Sequence, residues 1–152
     1  AKVGLLLEDL DVEPVALPVE LPIDVTQGIA GHVIEVSGHY SKVMLIVDSN
    51  SAAGALGQRT RARGIIKGES TDQCRLDYLL RKNDVRIGDT IVSSGLDGVY
   101  PKGLRIGIVS NVLEHDDDIF HDLIVTPFVD FEKLEEVLVI LEIQKHDLAR
   151  KQ

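Results

Sequence analysis

Two places in this 152-residue chain bring together side chains of types that do chemistry. The first is "EHDDDIFH", where His115, Asp116, Asp117, Asp118 and His121 offer the imidazoles and carboxylates that zinc or calcium use. Aspartate is also a strong turn former, and the run sits between two apolar, strand-like stretches. A hairpin turn is therefore expected there, and no metal. The second is Ser93 and Ser94, which could be combined with His32 or His39 and an aspartate into a hydrolytic triad of the kind carried by paired β-barrels. Neither serine lies in a nucleophile motif, and Gly95 follows them as the residue of a chain corner. "GIIKGES" lacks the glycine-lysine-serine order of a phosphate loop, and no dinucleotide fingerprint is present. Cys74 is the single cysteine, so no disulfide can form within the chain, and it reads as a small buried hydrophobe. These residues imply no catalytic group, no metal and no cofactor.

The elements that must hold such residues are those of a folded domain. Hydrophobic residues make up 44% and charged residues 27% of the chain, enough apolar material for one ordinary core or two small interlocked ones. The net charge of −9 opposes binding to nucleic acid, which relies on cations to neutralise phosphates. Residues 1 to 24 hold six acids against Lys2 alone, so the opening segment differs in kind from the rest. Its prolines, Pro14, Pro18 and Pro22, each remove an amide donor and exclude a central strand or a continuous helix, leaving an edge or an extended arm. The longest apolar runs, Val43 to Val47 and Val137 to Leu141, are too short for a membrane span of about twenty residues. A start at Ala1 with no signal pattern reads as a piece of a longer protein.

Elsewhere the dominant period is two. Leu104, Ile106, Ile108, Ser110 and Val112 are expected on one face of a strand, with Arg105, Gly107, Val109 and Asn111 on the other. Similar runs lie at Gly31 to Val36, Lys42 to Val47, Arg63 to Ile66, Arg75 to Leu80, Thr90 to Ser93, Asp122 to Thr126 and Val137 to Leu141. Short strands separated by polar turns predict an all-β fold of two small interlocked barrel or sandwich subdomains. A helical turn is expected at "DFEKLEEV", Asp130 to Val137, with Asp130 as its cap.

"GHVIEV" followed by "KVMLIV" echoes "GIVSNV" followed by "DLIVTP". Each is strand, turn, strand with a glycine at its head. The echo suggests one subdomain from residues 1–50 plus 113–145, a second from 51–112, and a polar tail at 146–152. Between Gly88 and Val112, the residues Gly95, Asp97, Gly98, Pro101, Gly103 and Gly107 are those of tight turns and barrel corners. "RTRAR" sets Arg59, Arg61 and Arg63 at alternate positions, hence on one strand face. That face reads as a charged edge guarding against aggregation, or as a contact for an acidic protein surface or a lipid headgroup. Tyr40, Tyr78, Tyr100, Phe120, Phe128 and Phe131 read as core or corner residues, with Tyr100 and Phe120 the candidate partner contacts.

"IGDTIVSSGLDGVYPKGLRIGIVSNV" resembles the signature of the MreC family of bacterial rod shape-determining proteins. The resemblance extends through "GHVIEVSGHYSKVMLIVDSNSA", "QRTRARGIIKG", "CRLDYLLRKNDVRIGD" and "VTPFVDFEKLEEVLVI", covering residues 25 to 140, while residues 1–27 depart from the family pattern. It implies the β region of a non-catalytic periplasmic scaffold, anchored to the inner membrane through a span and coiled coil that this chain lacks. The implied partners are the elongation-specific penicillin-binding transpeptidase, other rod-complex proteins such as MreB and MreD, and further copies of the chain. Two alternatives stand beside it: a secreted β-barrel hydrolase of serine-protease-like architecture, and an engineered variant of the scaffold domain.

Overall fold

The computed structural model of the chain describes residues 3–5, 28–36, 38–39, 41–96, 98–114, 119–134 and 137. They form nine strands: β1 (Val3–Leu5), β2 (Gly31–Val36), β3 (Ser41–Leu45), β4 (Ala52–Gly57), β5 (Arg63–Ser70), β6 (Gln73–Leu80), β7 (Thr90–Ser93), β8 (Arg105–Leu113) and β9 (Phe120–Pro127). Strands β4 to β9 close into a barrel in the order β4-β5-β6-β9-β8-β7, and β1-β3-β2 make a separate three-stranded sheet. Every pairing is antiparallel. Closure leaves none of the six barrel strands with a free edge.

The barrel interior is aliphatic. Ile66, Leu76, Leu79, Ile91, Ile106, Leu123 and Val125 are fully buried, and Ala53 and Ala55 of β4 supply the small residues that let strands close around them. The same core continues into the smaller sheet through Ile29, Val43, Leu45, Ile46 and Val47. A backbone bond reinforces the join: Ile29 N, just before β2, donates to Arg105 O at 2.8 Å. Arg105 also covers the Phe128 ring, 4.3 Å from its centroid.

The echoed segments are two hairpins with a bulge at the same place in the first strand, but the second strands pair two residues out of step with the echo. Val33 opposes Val43 and Glu35 opposes Lys42 in one, while Val109 opposes Val125 and Asn111 opposes Ile124 in the other. Each carries a bulge at the corresponding position, Ile34 and Ser110. The hairpins belong to different sheets, however. Strand β9 pairs with β6 and β8 inside the barrel, so the expected grouping of residues 113–145 with residues 1–50 differs from the strand pairing. What closes the barrel is that β6, left with one open edge by β5, accepts β9 there.

Bulges also overturn the expected facing of β8. Ile106 and Val109 point inward, whereas Ile108 is 37% exposed and Ser110 lies outside. The pairing skips Ile106 against β7 and Ser110 against β9, and each skipped residue shifts the alternation by one. At Asp130 the chain makes a single turn: Lys133 N donates to the Asp130 carbonyl at 3.2 Å and Glu132 N to its Oδ1 at 3.1 Å. No helix occurs among the described residues, and the strand expected at Val137 to Leu141 lies outside them apart from Val137.

Candidate interaction surface

The corner between β7 and β8 is built around Ser93. Its side chain is fully buried; Oγ donates to the Pro101 carbonyl at 2.5 Å and accepts from Leu104 N at 2.9 Å. The backbone of the same residue exchanges bonds with Leu104 and Gly103 at 2.8 Å each. Ser94 is 5% exposed, and its Oγ accepts from Leu96 N at 3.3 Å. Both hydroxyls are thus committed to backbone groups of the corner. Gly95, Gly98 and Gly103 adopt φ of 73°, 74° and 86°, the left-handed region where a side chain is strained. Asp97 lies outside the described residues.

Tyr100 is 5% exposed and therefore not a surface contact, contrary to expectation. Its ring meets His32 edge to face at 5.5 Å, with Oη 3.3 Å from Nδ1. The corner is fastened in this way to β2.

The arginine run does not lie on one strand face. Arg59 sits in the turn after β4, donating to both Asp89 carboxylate oxygens at 3.1 and 2.8 Å and to the Asp84 carbonyl at 2.8 Å. This guanidinium lowers the proton affinity of the Asp89 carboxyl below its ordinary value. Arg61 is a left-handed residue with φ 61°, and only Arg63 enters β5. A tight turn has replaced the expected extended run, because Gly57 N bonds to the Ala62 carbonyl and Arg61 N to the Gly57 carbonyl.

Among the described residues no group of three potential metal ligands converges; His115 and Asp116 to Asp118 are outside them. His121 is 6% exposed, its buried Nε2 has no hydrogen-bond partner among the described residues, and burial lowers its proton affinity. Cys74 is buried with its thiol directed at the Ile46 carbonyl, 3.6 Å away, and its pKa is pushed up to about 12, chiefly by burial. It is a packing residue rather than a nucleophile.

The outer face of β5, β6 and β9 carries a ladder of charges. Lys67 Nζ is 3.3 Å from Asp77, Arg75 Nε is 3.1 Å from the same carboxylate without hydrogen-bond alignment, and Arg75 Nη2 donates to Asp122 Oδ2 at 2.6 Å. Asp122 keeps the Arg75 guanidinium firmly protonated. Beside the ladder, Tyr78 is 55% exposed at φ 63°. It meets Phe120 edge to face at 6.0 Å and lies under Lys67 Nζ at 5.3 Å. Ile65, opposite Asp77 on the neighbouring strand, adds an exposed apolar side chain to this face. Tyr78, expected in the core or at a corner, is exposed because "CRLDYLL" fits two phases; the bulge between Leu76 and Leu79 turns Leu79 inward and Tyr78 out.

The family described as "Rod shape-determining protein MreC, barrel core" matches residues 17–141. The cell shape-determining protein MreC of Caulobacter vibrioides is 37% identical over 86 residues, 57% of this chain and 25% of that protein. The crystal structure of MreC from Pseudomonas aeruginosa superposes with a TM-score of 0.64 at 27% identity, covering 66% of each chain. MreC from Helicobacter pylori, solved in a complex with the penicillin-binding protein PBP2, gives 0.56 at 20% identity over 68% of each chain, a likeness of fold. The chain spans about a quarter of the length of the Caulobacter relative. It belongs to the MreC family of rod shape-determining proteins, whose barrel core it carries.

Proposed function

We propose that this barrel is a non-catalytic periplasmic scaffold, held at the inner membrane, that organises the cell-wall elongation machinery of rod-shaped cells through protein contacts. Its main partner is the elongation-specific penicillin-binding transpeptidase, and it associates with its own copies. The carrying observation is the match of the MreC barrel core to residues 17–141, and the Helicobacter relative solved with PBP2 supports the choice of partner. The hydrolase alternative has no support at the two serines it needs, whose hydroxyls are buried and bonded to the corner backbone. The geometry suits adhesion, with rigid strands presenting exposed apolar and charged side chains outward.

Titration of the chain against the purified periplasmic region of the transpeptidase tests this reading. Saturable binding without turnover of ester or peptide substrates is expected. Absence of binding, or hydrolysis abolished by Ser93→Ala, would overturn it.

A further inference from the structure

The outer face of β5, β6 and β9 combines three features that the fold itself does not require. Tyr78 holds a left-handed backbone, φ 63°, which a bulge ordinarily gives to glycine because a Cβ is crowded there. The strain places an aromatic ring 55% in solvent. Residues kept in sparsely populated backbone conformations cluster where a surface does work, and half-exposed tyrosine is a favoured anchor of protein interfaces. The ring is also held in place, by Phe120 at 6.0 Å on one side and Lys67 at 5.3 Å, so little side-chain freedom remains to be lost on binding.

The charges around the ring have a direction. Asp77 and Asp122 are only 19% and 15% exposed and are occupied by Lys67 and Arg75. Arg63, two residues before Ile65 on the same face of β5, is exposed and has no partner among the described residues. Lys67 stands two residues beyond Ile65 with 41% of its side chain exposed. An apolar centre of Ile65, Tyr78 and Phe120 is therefore flanked on β5 by the cations Arg63 and Lys67, while Glu69 beyond them is paired with Arg75. Carboxylates complementary to Arg63 and Lys67 therefore belong on the β5 side.

We propose that this face is the docking surface for an apolar segment of the transpeptidase whose flanking carboxylates meet Arg63 and Lys67, with Tyr78 as the central anchor. The proposal rests on the scaffold reading above and names the surface that reading leaves open. It separates stability from binding at one residue: relief of the backbone strain favours folding, while loss of the ring removes the anchor.

The experiment compares the wild type, Tyr78→Gly, Tyr78→Phe and Arg63→Glu for affinity toward the purified periplasmic region of the transpeptidase and for melting temperature. Tyr78→Gly is expected to melt no lower than the wild type and to bind at least tenfold more weakly, and Tyr78→Phe to bind as the wild type does. Arg63→Glu, at an exposed position without a partner, is expected to weaken binding most at low salt, where charge attraction is least screened. Wild-type affinity in Tyr78→Gly, or in Arg63→Glu should the glycine variant fail to fold, overturns the docking surface while leaving the scaffold reading intact. A wild type that does not bind the transpeptidase overturns both.

Discussion

Gly31 and Gly107 hold the same place in two different hairpins. Gly31 opens β2 and Gly107 is the third residue of β8, each three residues before the bulge and so close to its partner strand that a Cβ would overlap a backbone carbonyl, that of Met44 for Gly31 and that of Thr126 for Gly107. Neither is among the left-handed glycines, so the requirement is space between strands rather than backbone freedom. Gly107→Ala is expected to cost about 1–3 kcal/mol, the range for forcing atoms into a packed site. Chemical denaturation measures it, and an unchanged midpoint would show that the strands separate at no cost.

Gly98 and Gly103 are the opposite case. Both are left-handed, φ 74° and 86°, and a Cβ at either would meet nothing within 4 Å. Valine at either position should cost about 1–2 kcal/mol from backbone conformation alone. Asparagine, which tolerates this region, should recover most of that loss. Equal costs for the two residues would point to a steric cause instead.

Removal of the Ser93 hydroxyl leaves the Leu104 amide without one of its bonds and releases the Pro101 carbonyl. Ser93→Ala is expected to destabilise the barrel by about 1–3 kcal/mol, since a buried polar group loses its partner. Hydrogen exchange should show the opening concentrated at residues 93–104. A variant as stable as the wild type would mean that the corner holds without this serine.

Burial lowers the His121 pKa from its ordinary 6.5, so the fold favours the neutral ring over the charged one, with Arg81 acting in the same direction and Glu114 and Asp122 against it. A group depressed in this way contributes its stability fully above pH 6.5 and loses it as the pH falls from 6.5 toward the lower folded value. The Asp89 carboxyl, held low by Arg59, loses its contribution only below 3.8. Melting temperature should therefore fall with acidification in the window below 6.5, and His121→Leu should flatten that slope. An unaltered slope in the variant would assign the dependence to other groups.

Much of this fold is legible in the sequence, and the failures share a cause. Strands at 31–36 and 90–93 lie where the apolar runs place them, and the hairpin echo corresponds to two hairpins that share a bulge but not a register. The strand Ala52–Gly57 was missed because alanine and glycine are poor strand formers; they suit β4 because the barrel interior needs small residues there. The facing of Ile108, Val109 and Tyr78 could not be read, since a single inserted residue inverts every later position and no residue type announces a bulge. The arginine run misleads in the same way: alternation on paper presumes an extended chain, and the left-handed Arg61 breaks it.

A scaffold role in cell shape, as proposed, makes the barrel dispensable for any reaction but not for rod form. Cell width after depletion of the MreC protein of a rod-shaped bacterium and its replacement by one carrying this barrel tests that role most directly. Rods should widen and round as the protein is lost, and a copy bearing this barrel with Ser93→Thr, which keeps a hydroxyl at the corner, should restore them. Cells that keep their rod shape and width through complete depletion would contradict it.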